Sequence, residues 1–400
     1  MNVLFGTQKK RLFFTRIARL AFVGFAVSLA YSLISTIWAV YIDSFVNNIS
    51  YVGFISAFLT IISFVSFFIF VPLIEKSKKS NVFAWSLFLF VVAYILFYFV
   101  KSFYLFLGIA IVTTILTTLR ITSFGIIVKD KSSGKSLSKN EGLIYTFFNI
   151  AFLVGPLIAG YVASNFGVNS VFIFTAIFIF LALFLFKIFK IEDGNLKKKT
   201  DKNAIKNFKD FFRDRDRVIA YFLGGAVNFW WILIYLFMPL YIIRSGLNDL
   251  WIGYFLFGVI IPLICFQYKF GSLAGKVGFK KLFRIGFIIP AIFAFLCFLI
   301  PNIYFVMVFL VLASIGLAML ESTTEAYFFD LLKKKEELKY YGPYNTAIDV
   351  NQFLGELLSA VLLLFLPFKF VFLFFSLFMF LFFFVVGKSK NVIEKNRKRN

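Results

Sequence analysis

The chain contains no histidine at all. Imidazole metal sites, imidazole general bases and imidazole proton relays are therefore excluded together, and neither a metal nor a cofactor is expected. Cysteine is nearly as scarce. Cys265 and Cys297 lie in or beside apolar runs, where they read as packing residues rather than as a disulfide or ligands. Charged residues make up only 15% of the sequence against 61% apolar ones, far outside the range of soluble domains. A phosphate-binding loop is missing too. Ser133-Gly134-Lys135-Ser136 has Lys129 where such a loop needs its first glycine, and Gly271 and Gly275 stand one residue too close, with Val277 after Lys276. No nucleophile–base pair is recognisable. Neither ATP-driven nor enzymatic chemistry is expected, which leaves solute or ion gradients as the energy source.

What the chain has in quantity is hydrocarbon. About 20 consecutive apolar residues span a bilayer as a helix. Such stretches fall at 17–42, 51–74, 81–100, 103–128, 142–163 and 169–190, then at 217–243, 251–270, 282–300, 303–329, 342–366 and 368–387. Backbone amides in lipid must bond internally, so each is read as a helix. The formal charge of +23 follows the spans. All but four of the 42 Lys and Arg residues fall on one set of alternating loops and on the two tails; the exceptions are Lys101, Arg244, Lys369 and the intramembrane Arg120. That is the positive-inside pattern, and it predicts two cytoplasmic termini. The basic loops point to anionic lipid headgroups as partners and not to nucleic acid. The basic start, with Lys9, Lys10, Arg11 and Arg16, precedes an apolar run too long for a signal peptide and is read as leading into an uncleaved first helix. Loops on the other side, such as Lys101-Ser102, are too short for a domain. Asn48-Ile49-Ser50 on that side is a glycosylation triplet of low specificity.

The second half is a diverged copy of the first, displaced by 200 residues. Tyr41 pairs with Tyr241, Gly53 with Gly253, Lys76 with Lys276, Asp130 with Asp330, Gly155 with Gly355 and Phe172 with Phe372. The predicted fold is an all-α integral membrane protein, with twelve transmembrane helices in two pseudo-symmetric six-helix bundles. Residues 1–190 form one bundle, 191–216 a cytoplasmic linker, and 217–400 the other bundle with a basic tail. In the linker, Ile205, Phe208 and Phe212 are spaced as one face of a short amphipathic helix lying on the membrane. A duplicated helical membrane protein of this kind is the usual build of a secondary transporter.

Residues 271–281 read Gly271-Ser272-Leu273-Ala274-Gly275-Lys276-Val277-Gly278-Phe279-Lys280-Lys281. This stretch resembles the loop signature of the major facilitator superfamily, G-x-L-a-D-r-x-G-r-k, at the place between the second and third helices of a half where that family carries it. The first-half copy, Val71 to Lys79, loses the glycines but keeps Glu75 at the aspartate position, which Gly275 occupies in the second copy. Gly155-Pro156-Leu157-Ile158-Ala159-Gly160 resembles the family's G-P-x-x-G-G element, found mostly in drug–proton antiporters; Ala159 replaces a glycine. The resemblance implies two bundles rocking about a midplane site. Helices one, four, seven and ten of the family line the cavity, and two, five, eight and eleven form the interface between halves. It also implies inner-gate structural roles for Glu75, Lys76, Asp130, Gly271, Lys276, Lys280 and Asp330.

Ionisable groups inside spans cost about 2.5–3.5 kcal/mol each at mid-bilayer, so each needs a reason. Thr113, Thr117 and Arg120 share one helical face of the fourth span, and Ser314, Glu321 and Glu325 share one of the tenth. Asn345, Asp349, Gln352 and Glu356 form a stripe on the eleventh. Glu321 and Glu325, one turn apart, are placed to share a proton, and Glu356 is a second proton-coupling candidate. The bland alternative pairs Glu325 with Lys280, Lys281 or Arg284. Arg120 is expected to pair with a tenth-span acid or to hold an anionic substrate group. Asn149 and Asn228 are single amides suited to interhelical bonds or ligand contact. Trp230, Trp231, Tyr235, Tyr31 and Trp38 are expected to form an aromatic wall, with interface anchoring as the rival role for Trp38.

The sequence therefore predicts a monomeric, proton-coupled secondary transporter in the cell membrane that moves a small organic solute. Export is favoured by the Gly155-Pro156 element. Uptake of an anionic metabolite through Arg120 is the rival within transport. A lipid translocator, or a non-transporting receptor or scaffold, is the rival from another class.

Overall fold

The computed structural model describes residues 16–131, 137–191, 204–333 and 336–392. Its helices are α1 (Arg16–Val46), α2 (Ile49–Lys76), α3 (Lys79–Phe99), α4 (Phe103–Lys131), α5 (Leu137–Phe166) and α6 (Ser170–Ile188). The short α7 (Ala204–Phe212) follows. The second set runs α8 (Arg215–Ile232), a π-turn (Leu233–Phe237), α9 (Met238–Arg244), α10 (Asp249–Val277), α11 (Phe279–Leu299), α12 (Ile303–Glu321), α13 (Thr324–Leu331), α14 (Glu337–Phe365) and α15 (Lys369–Gly387). They supply 12 spans long and apolar enough to cross a membrane, as expected. The first and seventh are interior helices, 78% and 72% buried over their apolar windows, whereas the sixth and twelfth are 39% buried. The exposed faces of the outer helices carry Trp85, Phe99, Tyr104, Phe184 and Phe384, an apolar coat suited to hydrocarbon.

Helix ends recur at the repeat distance, and so do their contacts. The Tyr41 hydroxyl donates to the Phe97 carbonyl at 2.7 Å, and that of Tyr241 donates to the Pro301 carbonyl at 2.7 Å. The Tyr41 ring lies edge-on to Phe172 at 4.4 Å and the Tyr241 ring to Phe372, the repeat mate of Phe172, at 5.3 Å. In both copies, then, one tyrosine ties the first helix of the half to the end of its third.

The second half breaks its helices where the first keeps them whole. The counterpart of α1 is interrupted by the π-turn, a distortion often found at functional sites. The counterpart of α4 stops at Glu321 and restarts at Thr324. At the break Ser322 Oγ donates to the Ala318 carbonyl at 2.8 Å and Thr323 Oγ1 to that of Met319.

Two compact units result. The first comprises Met1–Phe45, Ile61–Lys199 and Asn248–Tyr254; the second comprises Val46–Thr60, Thr200–Leu247 and Phe255–Asn400. The division is not a single cut at the linker, since the N-terminal parts of α2 and α10 each cluster with the opposite half of the sequence. Within the second unit, glycines set helix spacing. Gly286 and Gly316 bring α11 and α12 into backbone contact, and Gly224 and Gly225 let Tyr344 and Asn351 of α14 press onto α8.

The linker helix forms as expected, but its apolar side chains do a different job. Phe211, not Phe212, is buried, among the rings of Tyr221, Phe328 and Tyr340 at 6.0–6.2 Å. Lys339 Nζ donates to Asp210 Oδ2 at 2.8 Å, and Arg217 stacks over Tyr340 at 4.0 Å while donating to the Asp210 carbonyl. The helix docks on protein through these groups. The hydrogen bond from Lys339 holds the Asp210 carboxyl below the usual carboxylate range. Ile205's side chain lies outside the described residues.

Candidate functional site

Glu356 lies on α14 in the second unit and is 4% exposed. Two donors reach it. Thr60 Oγ1, from the N-terminal part of α2, donates to Oε2 at 2.7 Å, and Gln352 Nε2, one turn back on α14, donates to Oε1 at 3.1 Å. Small residues make this approach possible. A side chain on Gly53 would come within 2.7 Å of Ala360 Cβ and 3.2 Å of the Glu356 carbonyl. Gly53, Ser56 and Thr60 share one face of α2, and Glu356, Ser359 and Ala360 share one face of α14. The hydroxyls of Ser56 and Ser359 are buried without a hydrogen-bond partner. No cation pairs with Glu356 among the described residues. It is thus a carboxyl group sealed in a seam of small residues and held only by neutral donors.

Glu321 is different. It ends α12 in the second unit and is exposed. Gln267 Nε2 of α10 donates to Oε2 at 2.7 Å, and Trp231 Nε1 of α8 donates to Oε1 at 3.3 Å. The ring of Tyr235, on the π-turn, lies 5.5 Å from that of Trp231. Donors from two other helices converge on the carboxylate, so it sits in a polar recess and not on the lipid face. The expected partnership with Glu325 is not made. The helix break separates them, Glu325 stands exposed on α13, and no hydrogen bond joins the two among the described residues. Lys280, proposed as a partner for Glu325, instead donates to the carbonyls of Gly387 and Ser389 at 2.7 and 3.3 Å, tying α11 to the chain after α15.

In the first unit the one intramembrane cation, Arg120, is half-buried on α4. Its guanidinium lies 5.9 Å from the rings of Tyr31 and of Phe90, at the outer limit of cation–π range. No carboxylate pairs with it among the described residues.

Several of the remaining candidates bond within their own helices. Thr113 and Thr117 spend their hydroxyls on the carbonyls of Ala110 and Thr113. Ser314 does the same with Leu310, and Asn228 reaches only the Gly224 carbonyl of its own helix, at 3.5 Å. Asn149 is exposed on α5, and Asn345 and Asp349 are half-buried on α14. Lys76 and Lys276 are exposed, Gly271 and Asp130 are half-buried, and Asp330 is buried. Glu75 lies in α2, with its side chain outside the described residues. Of the aromatic residues, Trp231 bonds Glu321 with Tyr235 beside its ring, and Tyr31 faces Arg120. Trp230 is fully buried against Phe375, and Trp38 packs with Phe97 and Phe106. Two functional groups escaped the sequence reading, Thr60 and Gln267. Each is a single polar side chain among others in a mainly apolar run, with no spacing that marks it out.

The Gly155-Pro156 element is a packing device here. Gly155 leaves no space beside Ser32, and a side chain on Gly160 would come within 3.1 Å of the backbone of Gly253 in the first unit.

Two six-helix repeats with a few hydrogen-bonded ionisable groups inside apolar spans define a multi-pass membrane protein of the secondary-transporter class. The chain belongs to the Major Facilitator Superfamily, whose sequence profile matches residues 20–268 and 259–399. Among solved structures it is similar to a mutant of the nucleoside transporter NupG, with a TM-score of 0.78 at 12% identity over 93% of this chain and 99% of that one. It is also similar to a POT family transporter in complex with 5-aminolevulinic acid, with a TM-score of 0.75 at 13% identity over 93% and 95%. A bacterial homolog of the human lysosomal transporter Spinster, inward-facing and unoccupied, aligns with a TM-score of 0.71 at 12% identity over 86% and 81%. At these identities the likeness is one of fold. No curated protein matches the chain.

Proposed function

We propose that this protein is a proton-coupled transporter of a small organic solute, working by alternating access as a monomer in the cell membrane, with its basic loops on anionic headgroups. The observation that carries the reading is Glu356. A carboxyl buried in a span, without a cation and between two neutral donors, is costly to maintain as a permanent charge. Such a group is suited to loading and unloading a proton as its surroundings open and close. Glu321, accessible in the same unit, is the solute-contacting acid in this reading. Export is the direction favoured by the resemblance of the Gly155-Pro156 element.

The test is reconstitution in liposomes and uptake of a compound panel with and without an imposed pH gradient. Gradient-dependent accumulation of at least one solute is the expected result, and no movement of any solute under either condition contradicts it. A second reading rests on Arg120, which has no carboxylate partner among the described residues and is therefore available to an anion. Arg120→Ala separates the two: transport survives with little change for a cationic or neutral solute and is lost for an anionic one.

A further inference from the structure

The recess around Glu321 has a chemistry of its own. Each carboxylate oxygen accepts one hydrogen bond and has capacity for about one more. Gln267 spends its amide nitrogen on the carboxylate, and its Oε1 accepts nothing among the described residues. The acceptors therefore outnumber the donors around this recess. No lysine or arginine pairs with Glu321 among the described residues, so its charge is balanced by neutral groups alone. Beside it stands the ring of Trp231, and the ring of Tyr235 lies 5.5 Å from that of Trp231, tilted at 42° to it, on the stretch where the seventh span turns from α-helix into the π-turn. Aromatic rings next to an accessible carboxylate favour a cation, and an apolar body can rest on them. Spare acceptors on Glu321 and Gln267 favour a cation that carries N–H groups over one that is fully alkylated. Among the described residues, the groups seen donating here are Trp231 and Gln267, and both already bind Glu321.

We propose that Glu321, Gln267, Trp231 and Tyr235 form a subsite for the protonated amine of an amphipathic organic solute. The proposal rests on the reading of the protein as a solute transporter and names the chemical class of its substrate. Trp231 fixes the carboxylate from the side of the π-turn, Gln267 fixes it from α10, and the ammonium group supplies the missing positive charge.

The experiment is equilibrium binding to the purified full-length protein in detergent, with tritiated 2-phenylethylamine as the probe. Competitors of similar shape vary one property at a time: 2-phenylethanol is neutral, phenylacetate is anionic, and 2-phenylethyltrimethylammonium lacks N–H. The amine is expected to bind. The quaternary compound competes more weakly, and the alcohol and the acid do not compete at matched concentration. Glu321→Gln weakens binding by about tenfold or more, Glu321→Asp recovers part of the loss, and Tyr41→Phe, in the first unit, stays within about threefold of the parent. Undisturbed binding in a well-folded Glu321→Gln protein overturns the proposal. So does displacement by phenylacetate as good as by the amine, or the absence of displaceable amine binding to the parent protein. If Glu321→Gln does not yield folded protein, the competition series on the parent decides the charge preference by itself. Binding at equilibrium needs no gradient. Loss of amine binding with gradient-driven transport of other solutes intact removes this subsite alone, whereas amine binding without any gradient-driven transport removes the transport reading alone.

Discussion

The crossing of α5 with α10 in the first unit and that of α2 with α14 in the second are the same contact made twice. Gly160 meets Gly253 in one, and Ala360 meets Gly53 in the other; the 200-residue repeat exchanges the two pairs. At the first crossing the residue beside the contact is Pro156, whose carbonyl oxygen would lie 2.5 Å from a side chain at Gly253. At the second its repeat mate is Glu356, and Thr60, where the other copy has Ile260, supplies a hydroxyl. One seam is pure close packing. The other has the same close packing with a carboxyl group set into it. The duplication supplied the frame, and the chemistry entered where the copies diverge. Tyr41 and Tyr241 show the converse: a contact both copies retained, doing the same structural job in each unit.

The comparison can be broken most severely at its shared element. Gly253→Leu would drive a side chain into backbone at the Pro156 carbonyl, where nothing can swing aside, and is expected to destabilise the protein by about 3 kcal/mol. Gly53→Leu meets the Ala360 side chain first and is expected to cost somewhat less. Thermal unfolding in detergent would show the ranking, and equal tolerance of both changes would remove the close-packing account. Thr60→Val makes the second seam resemble the first. It strips Glu356 Oε2 of its donor while keeping shape, for an expected loss of about 1–3 kcal/mol; a neutral outcome would mean that the hydroxyl is not needed there. Tyr41→Phe and Tyr241→Phe should each lose about 1 kcal/mol, and by similar amounts, since each deletes one equivalent bond. The smallest effect belongs to the linker helix, which has no counterpart in the repeat. Because Asp210 titrates below its ordinary value when docked, its pairing with Lys339 contributes above the usual aspartate range and is lost as pH falls through the lowered value. Proteolysis of the linker should therefore stay slow at neutral pH and rise only in strong acid, and Asp210→Asn should remove that acid dependence.

The spans and the duplication were legible because period, length and charge asymmetry are written along the chain. The site was legible only in part. Glu356 and Gln352 stood out as a helical stripe, and they do meet. Glu321 and Glu325 were joined on the assumption of an unbroken helix, but the helix breaks at Ser322 and Thr323, whose hydroxyls bond back to the carbonyls of Ala318 and Met319. The same habit took Thr113 and Thr117 out of the polar face assigned to them. Thr60 and Gln267 gain meaning only from the helix each one faces, and spacing within a single helix cannot supply that. On α7 the spacing located the helix, but whether Phe211 or Phe212 turned inward depended on the nest of Tyr221, Phe328 and Tyr340, residues from distant parts of the sequence.

The role given to Glu356 is tested most directly by separating exchange from accumulation in liposomes that hold either the parent protein or Glu356→Gln. If Glu356 carries the proton, the variant still swaps labelled for unlabelled solute across the membrane but no longer concentrates solute when a pH gradient is imposed. Gradient-driven accumulation by Glu356→Gln equal to that of the parent would contradict the account.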